Sequence, residues 1–294
     1  MTSWSTSDIV GPDGEDWRVP GSELEARQAR LGEMLAESSL PGMLVQHPVD
    51  LYYYAGGRQD GTLFVPAKGA GGSVEAGGDG PVAFVRRSLK RAVWEAGGND
   101  APHRIEAFPR LSQFADHLRS MGVSEAPALQ YGEAPGSFTA RFASALASLG
   151  ECGDATGVVH RQREIKSDWE IEQMDVGASV QMRMFEAVQA VGGEGISELD
   201  MVAAAEAVSR SEGFGGNVQM RRYPLQCDRG VIVAGRPAAP FPSSFPPSAG
   251  PHWARGSTVS ATPFSWTWPH PPGYMVDALH LFSGRLSVSG TTPR

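Results

Sequence analysis

The sequence predicts an α/β domain followed by an incomplete α+β domain, and three observations carry that prediction. Short apolar runs alternate with helix-like stretches through the first half of the chain. A turn-rich link, Cys152-Gly-Asp-Ala-Thr-Gly157, then marks a change of character. Beyond it come long helical patterns with capping signals, and after these short strand-like runs in a proline-rich stretch. The expected organisation is a flexible arm at 1–21, a first domain at 22–157 and a second domain at 158–294.

Residues 1–21 are polar and punctuated by Gly11, Pro12, Gly14, Pro20 and Gly21, which suits a loosely held arm. Ser22 with Glu25 has capping-box spacing ahead of Leu24, Leu31, Met34 and Leu35, so a helix is expected over 23–37. Strands are expected at 42–46, 62–65, 81–85 and 128–131, with helices near 87–95, 111–120 and 136–149. The Gly-rich stretch 69–80 reads as a surface loop; it lacks the Gly-Lys-Ser/Thr ending of a phosphate loop. Tyr52-Tyr53-Tyr54 reads as a strand end packing its rings into the first core, with the lining of a substrate entrance as the alternative.

In the second domain, Ser167 and Glu170 form a capping box, and Asp168 adds negative charge at the positive end of the helix dipole. The helix should run to about Ala190, stopped by Gly192 and Gly193. Ser197 with Asp200 caps another helix, and residues 217–223 and 230–235 read as strands.

A net charge of −8 argues against a general nucleic-acid or anionic-membrane surface, both of which need clustered Lys and Arg. No basic-then-apolar leader and no membrane-length apolar run is present, so a cytoplasmic location is expected. Cys152 and Cys227 lie far apart and read as two buried free thiols. No Gly-x-Ser-x-Gly elbow points to a serine hydrolase. Glu164, Asp168, Glu170 and Glu172 read as exposed helix faces, and His160 as a flank preceding the long helix.

Several segments together resemble the Xaa-Pro aminopeptidases and prolidases. Arg163-Glu-Ile-Lys-Ser-Asp-Trp-Glu-Ile-Glu-Gln-Met174 is similar to the entry helix of the pita-bread catalytic domain, and Gly195-Ile-Ser-Glu-Leu-Asp200 to its next helix start. Gly230-Val-Ile-Val-Ala-Gly235 resembles the first strand of that domain, and Gly273-Tyr-Met-Val-Asp-Ala-Leu-His-Leu-Phe-Ser283 a metal-ligand strand. Upstream, Arg30-Leu-Gly-Glu-Met-Leu35, Gly42-Met-Leu-Val45 and Asp50-Leu-Tyr-Tyr-Tyr-Ala-Gly-Gly57 resemble the creatinase-type N-terminal domain. The resemblance implies an α/β creatinase-like domain followed by an incomplete α+β pita-bread domain. It also implies proline-containing peptides as substrates, association into homo-oligomers, and a pair of divalent metal ions such as manganese, cobalt or zinc. Such a pair polarises the scissile carbonyl and supplies hydroxide.

The departures bear on activity. Asp277 is the sole carboxylate between Arg229 and Arg294 and the sole candidate metal ligand. In the family another Asp lies about eleven residues earlier, where this chain has Trp266; a His and two Glu lie further downstream than Arg294. The Asp-x-Thr-Arg pattern appears as Asp277-Ala-Leu-His280, without the hydroxyl that could orient a metal-bound carboxylate. His252, His270 and His280 do not occupy family positions. Half of the 22 prolines fall between Arg229 and Arg294, where they resist strand pairing. The expectation is a metallopeptidase-like chain without a working site, truncated and altered by coding damage such as compensating frameshifts. The alternatives are a non-catalytic remnant acting through association of its first domain, and a creatinase-like C–N hydrolase.

Overall fold

The computed structural model describes residues 18–57, 59–69, 80–193, 196 and 198–212, with the backbone of two-residue strands at 218–219, 226–227, 269–270 and 274–275. The chain divides into two compact units, Met1–Lys166 and Ser167–Arg294.

The first unit is built on a four-stranded sheet: β1 (Gly42–Val45), β2 (Gly61–Pro66), β3 (Val82–Val85) and β4 (Arg104–Ala107). The strands lie in sequence order; β1–β2 and β2–β3 are antiparallel, and β3–β4 is parallel. The parallel step needs a crossover, supplied by α3 (Leu89–Glu95). Every residue of β1 and β3 is buried, because both faces of the sheet are covered.

Alternation along the strands sorts the side chains into two cores. Met43, Val45, Leu63, Val65 and Ala83 join Leu31 and Leu35 of α1 (Gly21–Glu37), Tyr54 of α2 (Pro48–Ala55), and Val158 and Val159 of α6 (Thr156–Glu164). Leu44, Phe64, Val82 and Phe84 join Phe114 and Leu118 of α4 (Phe114–Ser120) and Phe142 and Leu146 of α5 (Gly136–Leu146). Phe84 meets Phe114 edge-on, with ring centroids 5.2 Å apart and planes at 90°, a favoured aromatic geometry. Short 3₁₀ turns at Leu111–Gln113 and Ala147–Leu149 complete the helical stretches expected near 111–120 and 136–149.

Several expectations change on contact with tertiary structure. α1 begins at Gly21 with Pro20 as N-cap, and no side chain caps it. Ser22 therefore sits inside the first turn, because the fixed φ of Pro20 (−55°) sets the entry and Pro20 O accepts from the amides of Glu23 and Leu24. The tyrosine run is helix rather than strand end. Pro48 sits in the first turn of α2 and Gly56, at φ 74°, ends it in the left-handed region. Residues expected as a strand at 128–131 contribute two isolated bridges, Met43 to Ala128 and Leu129 to Asp154. The strand β4 had no sequence signal. Its Arg-Ile-Glu-Ala is half charged, as suits the edge of a sheet.

α6 packs Val158 and Val159 into the first core, and the first compact unit runs to Lys166. In the second unit, α7 (Asp168–Val191) starts with the expected capping box. Ser167 Oγ accepts from the Glu170 amide at 3.2 Å, and Glu170 Oε2 accepts from the Ser167 amide at 2.8 Å. Val180, Met184 and Val188 of α7 pack with Met201 and Ala205 of α8 (Glu198–Ser211). Backbone pairs β5 (Val218–Gln219) with β6 (Gln226–Cys227), and β7 (Pro269–His270) with β8 (Tyr274–Met275), are antiparallel.

Candidate functional site

The described residues bring together a polar cluster in the first unit at the meeting of α1, α2, α6 and the segment after β1. Its centre is Asp50, only 1% exposed. Arg163 Nη1 donates to Asp50 Oδ1 at 2.8 Å, and Gln130 Nε2 donates to Asp50 Oδ2 at 2.7 Å. His47 Nδ1 stands 3.5 Å from Oδ2, at the limit of hydrogen bonding. Burial alone pushes the Asp50 carboxyl up, but His47, the Arg163 guanidinium and the Gln130 amide more than offset it and hold it below the ordinary carboxylate range.

The other end of the Gln130 amide accepts from the backbone amides of Gln46 and His47, at 2.7 and 3.0 Å. One side chain thereby ties the end of β1 to the carboxylate of α2. Arg27 of α1 donates to Tyr53 O at 2.9 Å, pairs with Glu23 at 2.8 Å, and lies 4.1 Å from the Tyr53 ring centroid. Tyr54 donates its hydroxyl to Gln162 Oε1 at 2.9 Å, while Gln162 Nε2 donates to Arg27 O at 2.8 Å. Burial raises the Tyr54 phenol well above its usual range, so it stays a neutral donor.

This cluster ties helices together and has no nucleophile poised beside a base. The tyrosines are core residues bonded by backbone and side chain, not the lining of an entrance. Sequence reasoning missed Asp50, Gln130 and Arg163 as partners. Asp50 and Arg163 are 113 positions apart, and no local pattern links them.

Asp277, His252 and His280 lie outside the described residues, as does the strand expected at 230–235; of His270 only the backbone is described. Among the described residues no three His, Cys, Asp or Glu side chains come together in a way that could hold a metal ion. The described donors therefore do not fit a cation pair. His160 precedes the long helix α7 as expected, and lies within the shorter α6, with Nε2 2.7 Å from Glu133 Oε1. Glu164, Asp168 and Glu172 are exposed as expected, whereas Glu170 is buried by its capping role. Cys152 is a buried free thiol whose pKa is raised by burial, an unreactive setting. No described helix is long and apolar enough to cross a membrane.

Solved structures of Xaa-Pro dipeptidases and prolidases share this fold over part of their length. An Xaa-Pro dipeptidase from Bacillus anthracis superposes with a TM-score of 0.57 at 18% identity, covering 76% of this chain and 56% of that one. Dipeptidase PepE from Mycobacterium ulcerans gives 0.54 at 18% identity, covering 75% and 63%. The prolidase from Pyrococcus furiosus gives 0.54 at 18% identity, covering 78% and 61%. The chain thus spans about three fifths of the length of these relatives. No protein-family model matches the sequence. No curated protein matches it either.

Proposed function

We propose that this chain follows the Xaa-Pro exopeptidase plan, with a creatinase-like first domain that starts at residue 22 and is carried beyond 157 to the end of α6, and a pita-bread-like second domain in the remainder of 158–294. On this reading the 294 residues do not by themselves form a working peptidase, and the first unit acts by associating with a second copy or with an intact relative. The observation that carries the proposal is the imbalance between the two halves. The first unit has two complete cores and a satisfied carboxylate cluster. Against this, the sequence from Arg229 to Arg294 offers Asp277 as its single carboxylate. A hard divalent cation held by one carboxylate would have to take its other ligands from water, which makes a weak site. A two-cation site needs several donors and an open position.

The test joins metal analysis of the purified full chain, an Xaa-Pro peptide cleavage assay and light scattering. Sub-stoichiometric manganese, cobalt or zinc, no cleavage, and a dimer or larger assembly support the proposal. Stoichiometric metal with turnover overturns it in favour of a metal-dependent Xaa-Pro exopeptidase. Turnover of creatine without metal would instead favour a C–N hydrolase, and a strictly monomeric chain removes the association.

A further inference from the structure

His103, 7% exposed and directly before β4, is a buried imidazole outside the Asp50 cluster. Its neighbours fix which nitrogen carries the proton. Gln28 Nε2 lies 2.7 Å from Tyr54 O, which can only accept, so this end of the amide is its NH₂. The same nitrogen lies 3.0 Å from His103 Nδ1. Nδ1 must then be the acceptor, and the proton of the neutral ring sits on Nε2. That Nε2 is buried and has no hydrogen-bond partner among the described residues. A buried donor left unsatisfied has given up its hydration for nothing in return, so such a group calls for an acceptor.

His103 lines a narrow pocket of about 20 Å³ together with Gly57, Gln59, Gly61, Glu95 and Ile105. A water molecule needs roughly 10–15 Å³ of such space and two or more polar partners. Glu95 offers the second partner. Its Oε1 accepts from Arg91 Nε at 2.8 Å and Gln59 Nε2 at 3.0 Å, while among the described residues Oε2 accepts only from Gln59 Nε2, at 2.9 Å. A lone pair on Oε2 is therefore free to accept another hydrogen. Gly57 leaves room beside the carboxylate: a Cβ there would stand 2.2 Å from Glu95 Oε2.

We propose that this pocket binds a single water molecule, which accepts the His103 Nε2–H and donates to Glu95 Oε2. The volume excludes organic ligands. An anion would be repelled by the Glu95 carboxylate, and a metal ion would need a lone pair where Nε2 carries a proton. Water alone among common species accepts at one side and donates at the other.

The test uses the full chain. Nitrogen-detected histidine spectra should show His103 protonated at Nε2, with a magnetisation-transfer peak from that proton to water. Water relaxation dispersion should show the loss of one long-lived water in His103→Leu. A proton on Nδ1, or an unchanged number of long-lived waters in folded His103→Leu, overturns the proposal. Should His103→Leu fail to fold, the wild-type water peak decides: its presence supports the site, and its absence beside a clear Nε2–H signal refutes it.

Discussion

Acidification should destabilise the first unit through His103. Burial lowers its pKa from 6.5 to about 4, because the charged imidazolium loses its hydration inside the unit. In the unfolded chain the ring takes up a proton as pH falls through 6.5, while in the folded unit it stays neutral until about 4. The unfolded state thus binds more protons in that window, and stability falls as pH falls. The contribution is fully present above pH 6.5. The loss amounts to about 2 kcal/mol by pH 5 and about 3 kcal/mol by pH 4, a large share of a typical domain's stability. The assay is urea unfolding of wild type and His103→Gln across pH 7.5 to 4, followed by far-ultraviolet dichroism. Carboxylate titrations affect both proteins alike, so the difference between the two curves isolates the imidazole. Wild type should lose its advantage, or fall below the variant, as pH drops; parallel curves throughout would refute the reasoning.

Other outcomes follow from the same geometry. Arg163→Ala leaves the Asp50 carboxylate buried without its cation and should cost about 3–5 kcal/mol in denaturant unfolding, whereas Asp50→Asn with Arg163→Met should recover much of that loss. A cost under about 1 kcal/mol for Arg163→Ala would show the pair to be solvated. Ser167→Ala removes the cap of α7 and should cost about 1 kcal/mol, read as faster amide exchange in its first turn; unchanged exchange there contradicts the capping role. Limited proteolysis should cut between Glu164 and Asp168, where Ile165 is 83% exposed between two helices. A first cut upstream of Thr156 would show that α6 is not held by the core.

The parts of the fold legible in the sequence were those with local, repetitive causes. The apolar runs behind β1, β2 and β3 and the periodic stretches behind α1 and α7 declare themselves because each is decided by its own residues. The Ser167 and Glu170 capping box was readable for the same reason. Ser22 and Glu25 have the same spacing and fail, because Pro20 takes the N-cap position two residues earlier. The tyrosine run misled through β-propensity: Pro48 and Gly56 bracket those eight residues as helix, and burial of Tyr54 decides the rest. β4 was invisible because an edge strand can be charged and still pair through its backbone. The Asp50 cluster was invisible for a different reason. Its members come from three distant stretches, and only folding gives Gln130 both a carboxylate to donate to and two backbone amides to accept from.

One margin of the first unit's sheet is filled and the other is charged. On one side Ala128 fills the flank of β1, its amide reaching Gly42 O at 2.8 Å and its carbonyl taking the Leu44 amide at 2.9 Å. On the other, β4 presents Arg104 and Glu106, paired with each other at 3.2 Å and unfriendly to an incoming ribbon. Two copies of this unit consequently have poor means of stitching their sheets into one continuous β-structure. Charge on β4 thus favours pairing through helical or loop surfaces, and such a joint would leave the strand content of each copy unchanged.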